Sequence, residues 1–361
     1  MGTHPLAPSA VELADDTAVP LSAVAGPLPF MVKILAAGSP LSLQVHPSKE
    51  LAAAGFAAEE AAGVPLNASH RTYKDPNHKP EMAYALTTFD TLVGLRPTAE
   101  ILRILSVIDT PLTRRLGAQL TAEPGFAGIV KIIASLLLDG AVSTSEVDEV
   151  VVRCKHLADQ GLDIKRSFVT AVLIADHHAG DVGVVVALML NRLTLEPGEA
   201  AFLDDGVIHA HLSGMCLEIM ATSDNVLRAG LTTKHVNPEA LVECLQKGMS
   251  RIARVMPGHF GISTEVFSPM VDEFALAVTQ CSNADPQGVP LFAKDAAQIL
   301  VCTGGEVTVT NTSGDSLRMA RGDSLFASAE DGQLTIKGTG EVAQTYDPSA
   351  HTPQGTLVDL V

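Results

Sequence analysis

A short pattern occurs twice in this chain. Leu193-Thr-Leu195-Glu-Pro-Gly198-Glu199-Ala-Ala-Phe202 reads as strand, tight glycine turn, strand, and Leu317-Arg-Met319-Ala-Arg-Gly322-Asp323-Ser-Leu-Phe326 repeats it at the same spacing. A turn glycine followed by an acidic residue, between alternating apolar residues, predicts a hairpin. Two copies set far apart predict an internal duplication of a β-module.

Between about Pro97 and Ala179 the periodicity changes. Phe126–Leu138 carries apolar residues at helical spacing, Ser143 and Glu146 form a capping-box pattern, and Val147–Leu157 and Ser167–Ala175 are amphipathic. Upstream, from Phe30 to Val45, short apolar runs are broken by Gly38 and Pro40, and Ser42, Gln44 and His46 alternate with Leu43 and Val45, which is strand periodicity. The expected fold is therefore mainly β with a helical insertion: two jelly-roll or cupin-type β-barrels plus an α-helical subdomain. With 361 residues, 47% of them hydrophobic, the chain can bury a core of that size.

Charge and cysteine usage exclude several functions. The chain has 24 basic against 41 acidic residues and a formal charge of −17, which disfavours nucleic acid and anionic membranes as partners. An anionic ligand would need a local basic pocket. Cys154, Cys216, Cys244, Cys281 and Cys302 form no CxxC pair and are odd in number, so neither a disulfide framework nor a cysteine zinc site is expected. No basic stretch precedes an apolar core at the N-terminus, and later apolar runs break well short of about 18 residues, so we expect a cytoplasmic protein without a membrane span.

Three segments hold the chemistry-bearing residues. In Ser42-Leu-Gln44-Val-His46, Gln44 and His46 share one strand face and could meet one metal ion, or form the wet side of a sheet. In the second, prolines frame His78, Lys79 and Glu81. The third carries His209 and His211 at strand spacing, then Glu218 inside an apolar run, where a carboxylate must be paired, coordinated or shifted in pKa. Asp224, Arg228 and Lys234 follow. Imidazoles, a carboxylate and an amide oxygen suit zinc, with iron or manganese as competitors, in an open site without cysteine.

Tyr73-x-Asp75-x-Asn77-His78-Lys79-Pro80-Glu81 resembles one signature of the type I mannose-6-phosphate isomerases. His209-Ala-x-Leu-x-Gly214-x-x-Leu-Glu218-x-Met220-Ala-x-Ser223-Asp224-Asn225-x-Leu-Arg228-Ala-Gly230-x-Thr-x-Lys234 resembles the other. The resemblance implies one zinc ion per chain, or another divalent metal, held by Gln44, His46, Glu81 and His209, with Arg228 catalytic. It implies interconversion of mannose 6-phosphate and fructose 6-phosphate through a cis-enediol. It divides the chain into a catalytic cupin (residues 1–96 and 181–255), a helical subdomain (97–180) and a C-terminal cupin-like domain (256–361). For proton transfer we weigh Glu218 first, with Lys79, His78 and Asp224 as rivals. Arg228, Lys79 and Lys234 are the cations available to phosphate, Arg228 could instead pair with Asp224, and Ser42, His78, His211 and Lys234 are grouped as substrate-binding.

The chain departs from the family at His211, where the family has Tyr, and at Thr233, where it has Pro. Family members also begin earlier, with strands of the first barrel and an aromatic-glycine motif, so we expect an uncovered sheet edge here, in a chain without Trp. His211 can join the metal shell or take the tyrosine's place against substrate, and we favour the second. A monomer acting on a small sugar phosphate is expected. Rival readings are a catalytically impaired metal-binding cupin that senses sugar phosphates, and an iron-dependent oxygenase. The first predicts erosion of Arg228 or Glu81, which are intact, and the second has no use for Lys79 and Arg228.

Overall fold

The computed structural model describes residues 1–5, 7–13, 15–138, 140–245 and 253–349. A small hairpin of β1 (Ala10–Glu12) and β2 (Ala18–Pro20) and a short α1 (Leu21–Ala25) precede the first barrel. That barrel contains β3 (Phe30–Ala37), β4 (Gln44–Val45), β5 (Glu81–Ala85), β6 (Phe89–Leu95), β7 (Leu190–Leu195), β8 (Ala200–Leu203), β9 (His209–Ala221), β10 (Leu227–Arg228) and β11 (Ala253–Val255). Its two antiparallel sheets run β3-β9-β5-β8-β11 and β10-β4-β9-β6-β7, so β9 belongs to both. The crossing falls at Gly214, with φ +104°, where a Cβ would stand 2.3 Å from the carbonyl oxygen of Thr88. Only glycine fits that bend.

Period-two alternation on β9 decides what faces inward. Ala210 and Leu212 point out of the barrel into one apolar core and Leu217 and Ile219 into another, which leaves His209, His211 and Glu218 inside. The first core is supplied by α3 (Thr98–Ile108), α4 (Pro111–Ala122), α5 (Phe126–Leu136), α6 (Thr144–Asp159), α7 (Ser167–Ala175) and α8 (Gly183–Ala187), whose Ile104, Ile133, Val150 and Phe168 meet Leu43, Val45 and Leu92. The second core joins Phe30, Val32, Met82 and Tyr84 to Phe267, Leu276 and Val301 of the C-terminal barrel. The first barrel is thus packed between helices on one face and a second barrel on the other.

The capping box at Ser143 and the span of α7 agree with the sequence reading. Helix α8 lies past the expected boundary at residue 180: its Val184-Val-Val186 run has strand propensity, but complete burial in the core beside α6 and α7 overrides it. Helix α2 (Lys49–Ala61), capped by the Ser48 hydroxyl on the Leu51 amide, and α9 (Pro238–Cys244) complete the unit. No helix among the described residues is long and apolar enough to cross a membrane.

The second barrel comprises β12 (Gly258–Phe260), β13 (Thr264–Phe267), β14 (Ala275–Cys281), β15 (Val289–Pro290), β16 (Gln298–Thr310), β17 (Ser316–Ala320), β18 (Ser324–Ala327) and β19 (Thr335–Tyr346), with order β12-β13-β14-β19-β16-β17 and with β15 on β19 and β18 on β16. Both copies of the glycine-turn pattern form strand, turn, strand, but neither is a hairpin. β7 pairs with β6 while β8 pairs with β5 and β11, and β17 and β18 pair with opposite halves of β16. Gly198 (φ +91°) and Gly322 (φ +98°) turn the chain at a corner rather than back on itself. At the other end of the first sheet, β3 is met on its outer side, among the described residues, by Met1 at Val32, and Lys33, Ile34 and Ala36 are exposed.

Candidate metal centre and active site

Two short strands and the start of a long one bring the site together. β4 lies between β10 and β9 with Gln44 opposite both Arg228 and His209, so three functional side chains start from adjacent backbone positions. His46 follows directly and Glu81 opens β5 on the inner face, and His46, Glu81 and His209 are all fully buried.

Hydrogen bonds settle which ring nitrogens face the cluster. His46 Nδ1 donates to the carbonyl oxygen of Asn225 (2.6 Å) and His209 Nδ1 to that of Val207 (2.9 Å), which leaves each Nε2 as a lone pair. Those nitrogens stand 3.4 Å from Glu81 Oε1 and 3.4 Å from Glu81 Oε2 respectively. His46 Nε2 and Glu81 Oε2 are buried without a hydrogen-bond partner. Two ligand atoms each about 2.1 Å from a tetrahedral ion stand roughly 3.4 Å apart, so the spacing fits zinc. Carbonyl-oriented imidazoles are the usual outer support of such a centre. The Gln44 amide lies 3.2 Å from His209 Nε2, and a turn about its terminal torsion would present its oxygen as a fourth donor.

The surrounding charges act on the same groups. Burial lowers the pKa of His46 and keeps the ring neutral. Burial alone would raise Glu81, but the Lys79 ammonium, 3.0 Å from Oε1, and the two histidines outweigh it and hold the carboxyl well below its ordinary range. Lys79 is itself buried, yet Glu81 and Glu218 overcome the burial and keep its pKa above the ordinary lysine value. Arg228 is half-buried and lines a cavity of about 940 Å³, as do Lys74, Asp75, Asn77, Asp224 and Lys234.

The remaining candidates separate. His211 and Glu218 are buried inside the barrel, with His211 Nε2 3.3 Å from Glu218 Oε1. Ser42 is half-buried just before β4. Asp224 pairs with His4 (3.2 Å), and among the described residues no ion pair joins it to Arg228. His78 does not line the cavity: Nδ1 donates to Asp205 (2.9 Å) and Nε2 to Glu273 (2.7 Å) of the second barrel, so it joins the two barrels.

Residues given no role in the sequence reading turn out to brace the site. Asp75 accepts from the Ser223 hydroxyl (2.8 Å) and the Asp224 amide (2.7 Å), while the Asn225 side chain accepts from the Lys74 amide (2.7 Å) and donates to the carbonyls of Asp75 (2.7 Å) and Asn77 (2.8 Å). These bonds tie the segment that leads to Lys79 and Glu81 to the one that leads to Arg228. Short polar side chains that bond nearby backbone, as Asp-x-Asn and Ser-Asp-Asn do, were the available signal.

Comparison with known proteins agrees with this geometry. Residues 1–98 match the catalytic domain of type I phosphomannose isomerase, and residues 264–347 match the cupin domain of mannose-6-phosphate isomerase. The chain is 34% identical to the mannose-6-phosphate isomerase of Escherichia coli K12, covering 96% of this chain and 90% of that protein. It is 32% identical to the Homo sapiens enzyme, covering 85% and 74%. A crystal structure of the Salmonella typhimurium mannose 6-phosphate isomerase bound to fructose 6-phosphate and zinc superposes with a TM-score of 0.84 at 32% identity, covering 96% of this chain and 90% of that one. This chain belongs to the type I phosphomannose isomerase family.

Proposed function

We propose that the chain interconverts mannose 6-phosphate and fructose 6-phosphate with one zinc ion held by Gln44, His46, Glu81 and His209. The observation that carries the reading is the buried His46, Glu81 and His209 cluster, with its lone pairs converging at tetrahedral ligand spacing and with Gln44, whose amide reaches His209, opposite Arg228 on the sheet. The E. coli and human relatives bear the enzyme's name, and the Salmonella structure holds fructose 6-phosphate and zinc.

Aldose–ketose exchange moves a proton between C1 and C2 through a cis-enediol, with charge developing on O1 and O2. A bound divalent ion supplies Lewis-acid stabilisation of those oxygens. Lys79, an ammonium fixed against Glu81, adds a second positive charge at the cluster. For the proton we assign Glu218: it is a buried carboxylate beside the cluster, whereas His78 has both nitrogens bonded to carboxylates and the Asp224 side chain is 46% exposed. Arg228 and Lys234 face the cavity and suit an anionic phosphate or enediolate oxygen. A cation about 4 Å from such a charge contributes on the order of 4 kcal/mol near a surface. Ser42, half-buried just before β4 and two residues from Gln44, is kept as a candidate contact to the sugar.

The test is direct. Purified protein given mannose 6-phosphate in deuterated water should form fructose 6-phosphate, followed by proton NMR. No ketose product at substrate saturation would refute the reading.

A further inference from the structure

Inside the first barrel, next to the centre just described, a second pair of acceptors faces itself. The Thr91 hydroxyl lies 3.1 Å from the carbonyl oxygen of Ala210, to which it donates, so its oxygen accepts from His211 Nδ1, also at 3.1 Å. His211 therefore presents Nε2 as a lone pair, by the same logic that fixes His46 and His209. That nitrogen is buried without a hydrogen-bond partner, and 3.3 Å away stands the carboxylate oxygen Glu218 Oε1. A proton on Nε2 would make this contact an imidazolium–carboxylate pair, and a divalent ion can take that proton's place, because the spacing again matches two ligands of a tetrahedral ion. Glu81 completes the group: ligand atoms of Glu81, His211 and Glu218 lie within 4.8 Å of one another.

We propose that His211, Glu218 and Glu81 form a second divalent-cation site, with Glu81 bridging the two centres. One imidazole and two carboxylates suit zinc or manganese. The residue that makes the site is His211. The second ion binds more weakly than the first, because the carboxylates of Glu81 and Glu218 are already offset by the Lys79 ammonium and by the first ion. An ion held there engages Glu218, so full loading slows turnover. The inference rests on the proposed first centre through Glu81 and through the role given to Glu218.

The test is calorimetric titration of the one-zinc holoenzyme with Zn2+, with metal content measured alongside. Wild type should take up a second equivalent at least tenfold more weakly than the first, and turnover should fall over the same concentration range. His211→Phe and Glu218→Gln should each lose the second equivalent and keep the first, which also shows that the variants are folded. Saturation of wild type at one equivalent would overturn the second site and leave the first intact, and so would a second equivalent that survives both substitutions. Failure to hold even one equivalent would instead overturn the reading of the first centre.

Discussion

The two barrels share an architecture and differ in what they point inward. In the first, β5 and β9 direct Glu81, His209, His211 and Glu218 into the interior. In the second, β16 and β19 carry Leu300, Cys302, Val307, Val309, Ile336 and Val342 into a closed apolar core. Among the described residues, both groups able to hold a metal lie in the first barrel. The same corner turns at Gly198 and Gly322 build both, so the architecture does not confer the chemistry: inward-facing residues do. One barrel has become a site, and the other closes its outer face.

The largest effect should separate the barrels outright. His209→Ala or Glu81→Ala should lose bound zinc and reduce turnover to background, because three or four ligands jointly hold an open centre. Leu300→Ala, at a buried position of the second barrel, should cost about 2–5 kcal/mol of stability while leaving zinc stoichiometry unchanged. Metal content and denaturant unfolding measured on both variants check the contrast, and zinc loss from folded Leu300→Ala would break it.

Next is Arg228→Lys, which should lower kcat/KM by about a hundredfold with zinc content unchanged, since a point charge does not replace a planar fork. Loss of zinc in this variant would instead make Arg228 a support for Gln44, its neighbour across the sheet. Asn225→Ala should act in the opposite manner. It removes the brace that positions the carbonyl accepting from His46, so zinc affinity should fall roughly 10- to 100-fold, measured by competition with a chelating dye.

The smallest effect concerns the link between the barrels. Asp205, opposed by partial burial and helped by Glu273, raises the His78 pKa to about 9, with Lys49 3.9 Å from Glu273 and Glu50 and Asp204 also near. A histidine whose pKa is raised on folding contributes its full stability below the unfolded value of about 6.5, and that contribution is lost as pH rises through about 9. Burial also raises Asp205, which reduces the gain, so about 2 kcal/mol is expected. Melting temperature should therefore decline between pH 6.5 and 9 in wild type more than in His78→Asn, and parallel curves would remove the latch.

Much of this was legible in the sequence because period-two alternation is local: His209 and His211 on one face and Glu218 among apolar residues read directly as inward groups. The corner turns were misread as hairpins because turn chemistry is local while the strand that each arm joins is set elsewhere in the chain. Helix α8 was missed because its valines favour strand and only its packing makes it helical. His78 sat in the middle of a signature, yet its partners Asp205 and Glu273 lie 127 and 195 positions away, beyond any spacing argument. Asn225 was part of a motif whose role, to brace a loop rather than touch substrate, exists only once the two segments meet.

The central claim is that turnover depends on the His46, Glu81 and His209 centre. The most direct measurement is isomerase activity during chelation and stepwise return of zinc. Activity should vanish with the metal and recover in proportion to the first equivalent, reaching its maximum at one zinc per chain. Chelated protein that still turns over mannose 6-phosphate at an undiminished rate would contradict it.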